Sequence, residues 1–276
     1  MAHALEVVRP EGKPSVWFAL RQEAERAAAA EPGLASLLNA AILSHPEPGR
    51  ALSYQLARKL ADDGLSPMTL REIAEEAYAA DPGLLDCAAA DLRAVFERDP
   101  ACKGYLQPFL WFKGFAALQS HRLAHWLWSH GRDTLAFHLQ SRVSELYAID
   151  IHPAARFGRG VFMDHGDGVV VGETATVGDD VSMLHGVTLG GTGAAGVDRH
   201  PKIGNGVLLG AGCKVLGNIT VGDYAKVASG SVVLKPVPPG CTAAGVPARL
   251  VNCPTCPEPA RSMDQTLADA AYDYVI

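Results

Sequence analysis

From residue 151 onward the chain repeats with a period of six. Taking every sixth residue gives Ile151, Phe157, Met163 and Val169, then, after a two-residue slip, Val171, Val177, Met183 and Leu189. The series resumes as Ile203, Leu209, Val215, Val221, Val227 and Val233, and all fourteen positions are apolar. Glycine follows at 158, 172, 178, 190, 204, 210 and 222. Helices repeat at 3.6 residues and strands at 2; a period of six needs a short strand plus a tight corner. Such hexads build a parallel β-helix, about eighteen residues to the turn, with strands of successive turns stacked about 4.8 Å apart. Fourteen hexads predict between four and five coils. One coil cannot bury its inward residues alone, so the array must stack and be capped.

The first 148 residues obey a different rule. Apolar residues recur at helical spacing in "SYQLARKLADDGL" and "LREIAEEAYAADPGLL", and Pro32-Gly33, Pro46 to Gly49, Pro67, Pro82-Gly83 and Pro100 separate the pieces. The expected organisation is a helical domain over 1–148, a solenoid over 149–250 with an inserted loop at 190–202, and a flexible tail over 251–276. Trp111, Phe112, Phe115, Leu118, Leu123, Trp126 and Leu127 form an apolar stripe that reads as core or subunit contact. His121 and His125 stand one helical turn apart without a third ligand, so they read as ordinary helix positions and no metal is expected.

With 48% hydrophobic and 20% charged residues the chain can bury a substantial core. Its net charge of −6 argues against nucleic acid or an anionic membrane as main partner. No apolar run approaches the roughly 18 residues of a membrane span. The opening "MAHALEVVRPEGKPSVW" has no apolar core or small-residue cleavage site, so no signal peptide is expected. Six cysteines are too few for a disulfide framework in a chain this long, and a reducing cytoplasm is the expected home.

The hexads break between Leu189 and Ile203, fourteen residues that make two hexads plus two or one hexad plus eight. An insertion cannot enter the packed prism, so it must project from a corner as a loop. This one carries Thr192, Asp198, Arg199, His200 and Lys202. A basic loop by itself is commonly just solvated. Here Asp164 and His165 also occupy hexad positions where glycine or a neutral corner residue would be expected, which points to chemistry.

The motifs "DPACKGY", "DIHPAARFGRGVFMDHGDGVVVGETA", "VTLGGTG", "DRHPKIG", "GAGCKVLGNI", "GSVVLKPVPP" and "AAGVPAR" resemble, in order, those of bacterial and plant serine O-acetyltransferases. The resemblance covers nearly the whole chain. It implies an α+β architecture, an N-terminal α-helical domain followed by a left-handed parallel β-helix. It also implies transfer of acetyl from acetyl-CoA, a co-substrate rather than a bound cofactor, to the hydroxyl of L-serine, a first step towards cysteine. Serine's hydroxyl is a weak nucleophile at neutral pH and needs a base, for which histidine is suited. By resemblance His165 is that base and Asp150 its orienting carboxylate. Asp99 and Asp164 fall near the serine ammonium, Arg199 and His200 at its carboxylate, and His200 also near the tetrahedral intermediate. Because Asp99 belongs to the helical domain, the site should straddle both domains. CoA is expected along the solenoid near Gly191, Thr192, Ala211 and Gly212, with Lys226 a candidate for phosphate. L-Cysteine is expected as an inhibitor, and a homotrimer, or a dimer of trimers, as the assembly.

Two other readings stay open at this point. One is another hexapeptide acyltransferase acting on a sugar or foreign compound. The other is a zinc lyase of the γ-carbonic anhydrase type, suggested by His152, His165, His185 and His200. At the C-terminus, "CPTC" (253–256) is a lone CxxC and reads as incidental or weakly redox-active thiols. The tail "MDQTLADAAYDYVI" ends in Ile276, which by resemblance docks into O-acetylserine sulfhydrylase.

Overall fold

The computed structural model describes residues 15–193, 197–253 and 257–267. Among the described residues eight α-helices come first: α1 (Val16–Ala30), α2 (Ala35–Leu38), α3 (Pro48–Leu60), α4 (Pro67–Ala80), α5 (Gly83–Arg98), α6 (Leu106–Leu110), α7 (Lys113–Ser129) and α8 (Asp133–Tyr147). Their ends are written in the sequence. Ser15 caps α1 by accepting the Phe18 N–H, and Ser66 caps α4 by accepting that of Thr69, with Pro67 opening the helix. At the other end of the domain α8 stops at Ala148, whose φ of 55° is left-handed, and the next residue begins the first strand.

Among the described residues fifteen short strands follow in three sheets. The first holds β1 (Ile149–Ile151), β4 (Val169–Val171), β7 (Thr188–Gly190), β10 (Lys214–Leu216) and β13 (Val232–Val233). The second holds β2 (Arg156–Phe157), β5 (Thr176–Val177), β8 (Lys202–Ile203) and β11 (Thr220–Val221). The third stacks β3 (Phe162–Met163), β6 (Ser182–Met183), β9 (Leu208–Leu209), β12 (Lys226–Val227), β14 (Thr242–Gly245) and β15 (Ala248–Asn252). Every pairing is parallel except β14 with β15, so the fold is a parallel β-solenoid of five coils behind a helical domain. Thirteen of the fourteen hexad positions are buried. Phe157 is half-buried; it packs against the core, and its ring meets His121 of α7 at 5.0 Å.

Register shows where the repeat was stretched. Val170 pairs with Thr188 and Lys214 with Val232, the regular step of eighteen. Ile149 pairs with Val169, a step of twenty, and Thr188 with Lys214, a step of twenty-six. The two extra residues fall at the corner between β3 and β4, and the eight extra residues in the loop between β7 and β8. Of the two readings of that loop, one hexad plus eight is the correct one.

A buried ion pair locks the helical domain onto the first coil. Arg122 of α7 meets Asp91 of α5 at 2.9 Å, with both side chains sequestered. Asp91 also accepts from Gln119 and from the Val161 N–H, while Arg122 donates to the carbonyls of Phe157 and Gly158. Each charge is thus fully hydrogen-bonded, the condition under which burying a pair is tolerable. Nearby, His121 reaches the Ala155 carbonyl and His125 that of Pro153. Burial pushes the His121 imidazole down to about 3, so it sits neutral in the domain interface. The two histidines are packing residues, as their spacing suggested.

Two expectations for the C-terminus are corrected. The tail is folded through its first part: β15 reverses against β14, and α9 (Pro259–Ser262) lies on α5 and β9, its Ala260 carbonyl accepting from Ser182. Cys253 is no loose thiol but is bonded to Cys241, 4.4 Å away between Cα atoms. The β14–β15 hairpin sets these residues opposite each other, a pairing that a lone CxxC does not announce. Cys256 and Ile276 lie outside the described residues.

Candidate active site

Two corners of the solenoid carry the predicted site residues. The first is the stretched corner between β3 and β4, residues Asp164 to Gly168. His165 takes the left-handed conformation there (φ 58°), and its side chain is 71% exposed. Its Nε2 lies 3.7 Å from Asp164 Oδ1, and its ring meets that of His185, one coil on, edge to face at 6.0 Å. Burial pushes the Asp164 carboxyl up; the neighbouring His165 opposes this, and the Asp99 carboxylate adds to it. Asp99 closes the end of α5, where it accepts the Ala101 N–H at 2.8 Å. Asp99 of the helical domain is thus near enough to Asp164 and His165 of the solenoid to act on the Asp164 carboxyl.

The second corner is the loop between β7 and β8. Thr174, one coil earlier, organises it. Its hydroxyl oxygen accepts the backbone N–H of Arg199 (3.0 Å) and of His200 (3.1 Å). His200 Nδ1 accepts the Thr174 backbone N–H at 3.2 Å and lies 2.9 Å from its hydroxyl. With Nδ1 used as an acceptor, the ring proton belongs on Nε2. Burial, assisted by the Arg199 charge, holds His200 below its ordinary value, so it is a neutral N–H donor. The ring sits where only glycine leaves room: a Cβ at Gly172 would lie 2.0 Å from Nε2, and one at Gly191 2.8 Å. Arg199 is steered by Glu173 (2.7 Å), and that hydrogen bond lowers the Glu173 carboxyl. A cleft of about 610 Å³ opens beside Arg199, lined also by Arg156, Glu173 and Lys202, with no part of His165 in it.

Within one chain these corners do not meet. The first precedes the β1-β4-β7 sheet and the second follows it, so a face of the prism lies between them. The CoA candidates divide in the same way: Gly191 and Thr192 begin the loop, whereas the Gly212 N–H donates to the carbonyl of His185, the residue stacked against His165, with Ala211 beside it. Asp150 is held by Gln140 of α8 at 2.6 Å, and among the described residues no hydrogen bond joins it to His165. Lys226 does not fit the phosphate role foreseen for it. It is buried, and its Nζ donates to the Thr266 carbonyl at 2.5 Å.

Glu173, Thr174, Gln140 and His185 were assigned no part in the serine site from sequence. Glu173 and Thr174 act across the twenty-six-residue step, which only strand register exposes. Among the described residues no three His, Cys, Asp or Glu side chains gather as metal ligands. The histidines that invited a zinc reading are spread over separate places: His152 lies against Trp128 and Phe137, His165 against His185, and His200 against Thr174.

A five-coil parallel prism with an exposed corner histidine beside carboxylates defines an acyltransferase of the hexapeptide-repeat class, and residues 200–235 match the family model "Bacterial transferase hexapeptide (six repeats)". Residues 16–120 match "Serine acetyltransferase, N-terminal". The serine acetyltransferase of Escherichia coli (strain K12) is 54% identical over 250 residues, covering 91% of this chain and 92% of that one. A solved serine acetyltransferase in complex with cysteine superposes with a TM-score of 0.90 at 52% identity, covering 91% of this chain and 98% of that one. The coenzyme A complex from Brucella abortus strain S19 gives 0.87 at 48% (92% and 100% covered), and the Neisseria gonorrhoeae enzyme with serine 0.84 at 50% (86% and 97%). The chain belongs to the serine acetyltransferase family, and its activity is serine O-acetylation. No described helix is long and apolar enough to cross a membrane.

Proposed function

We propose that L-serine is held between two copies of the chain, its ammonium at Asp99 and Asp164 of one and its carboxylate at Arg199 and His200 of the next. The observation that carries this reading is the exposed corner where Asp164, raised by burial and by Asp99, stands beside His165. An ammonium relieves the two carboxylates, and the guanidinium of Arg199 matches a carboxylate with two parallel donors. His165 takes the serine hydroxyl proton as Oγ attacks the carbonyl carbon of acetyl-CoA. The new oxyanion is met by the Nε2–H of His200. Collapse breaks the C–S bond, and the thiolate of CoA leaves with the proton from His165, so the base is restored each cycle.

Asp150 keeps the orienting role that the family pattern gives it. It lies on β1, two residues beyond Ala148, whose carbonyl receives the Gly168 N–H at the end of the catalytic corner. A site shared between copies makes a trimer, or a dimer of trimers, the working assembly. Acetyl-CoA is the co-substrate, in keeping with the coenzyme A complex of the Brucella relative. L-Cysteine, serine with sulfur in place of oxygen, engages the same charged groups and inhibits, in keeping with the cysteine complex of a relative. The assay that tests the proposal is thiol release from acetyl-CoA with L-serine, L-threonine, L-homoserine or no acceptor. Release should be fastest with L-serine; equal rates with homoserine, or without acceptor, would reject the site as drawn.

The C-terminal Ile276 serves a separate role in this reading, docking its carboxylate into O-acetylserine sulfhydrylase. Deleting Ile276 should leave acetyl transfer unchanged and abolish co-elution with the sulfhydrylase. Retained co-elution would remove Ile276 from that role.

A further inference from the structure

His165 lacks the packing that usually fixes a side chain. Its ring is largely exposed, touched by Asp164 and His185, so its direction is set by the backbone of a corner that is two residues longer than those below it. A longer corner has more conformations to choose from. Something must select one, and the start of α7 bears on both ends of it. Gly114 lies against the Met163 carbonyl, immediately before Asp164: a Cβ there would stand 2.1 Å from the oxygen and 3.1 Å from its carbon. One residue earlier, Lys113 hydrogen-bonds Asp167 Oδ1 at the far end of the corner. That bond, first among the causes, lowers the Asp167 carboxyl. The Asp167 carbonyl in turn accepts the Gly186 N–H at 2.6 Å, tying the corner to the coil below.

We propose that the first turn of α7 is a clamp that aims His165, with Lys113 and Gly114 as positioning residues for the reaction. The inference rests on His165 being the base. The Lys113–Asp167 pair is more than a third exposed at both side chains, so it adds little to stability, and its effect should appear in turnover. A misplacement of about 1 Å can cost on the order of 100-fold in rate.

The experiment is a set of variants assayed for kcat, for KM of serine and of acetyl-CoA, and for Tm. Lys113→Met and Asp167→Asn should each lower kcat about 10-fold with the KM for acetyl-CoA and Tm unchanged. Together they should do no worse than either alone, because each breaks the same contact. Lys113→Arg, which keeps a charged donor, should recover most of the loss. Gly114→Ala should cost about 100-fold in kcat; if it does not fold, the Lys113–Asp167 cycle decides alone. Wild-type kcat in both single variants, or multiplying losses in the double, would overturn the clamp. His165→Ala serves as the control: if it stays active, the base assignment falls; if it is inactive while the clamp variants work normally, only the clamp falls.

Discussion

With His165 replaced by alanine, turnover falls by about 10²- to 10⁴-fold, the range typical of a general base, and the protein stays folded. The side chain is 71% exposed, with Asp164 and the His185 ring beside it, so little burial is lost with it. The residue does sit at a φ of 58°, which alanine accepts less readily than asparagine does. His165→Asn is therefore the better comparison, since it suits the left-handed corner and supplies no base. His165→Asn should show unchanged Tm and unchanged oligomeric size alongside the lost turnover. A His165→Asn enzyme within a few-fold of wild type would move the base elsewhere.

The second expected result concerns mixtures. A chain carrying Arg199→Ala and a chain carrying His165→Ala should each be nearly inactive alone, and active when co-assembled. The His165 corner and the Arg199 loop lie on opposite sides of the β1-β4-β7 face, so the proposed site takes one corner from each of two chains. In randomly mixed cyclic assemblies about one quarter of the sites would pair an intact His165 with an intact Arg199. Activity near a quarter of wild type in the co-expressed mixture, against almost none in either parent, is the predicted signature. No recovery above the parents would place both halves of the site in one chain.

Much of this was legible in the residues themselves. The hexads announced the prism, and the two places where they lose step, at Asp164–His165 and at Arg199–His200, are the corners that strand register shows to be lengthened, by two residues and by eight. Asp99 could be joined to Asp164 across the domain boundary only through the family pattern, since nothing in local spacing links them. What escaped was whatever depends on which coil lies over which. Thr174 holds the Arg199 loop because a twenty-six-residue step stacks β5 beneath β8, and neither residue type nor spacing reveals that. The surroundings of Lys226, the candidate for phosphate, were hidden for a related reason: chain from beyond the solenoid returns to cover it, with the Thr266 carbonyl accepting from its Nζ. Cys253 found its partner through a hairpin whose turn contains no more than a Gly-Val-Pro sequence.

The reversal of β15 has a consequence for what the prism does not do. A stack of parallel coils is in principle an open-ended polymer, since each terminal rung offers unpaired backbone groups to another chain. Along the third sheet β15 runs backwards over β14, so the rung it presents no longer matches the parallel series beneath it. At the opposite end α7 and α8 lie against β1. Growth along the third sheet is thereby stopped by the same chain that began it, which leaves the sides of the prism as the surface for the side-by-side contact proposed above.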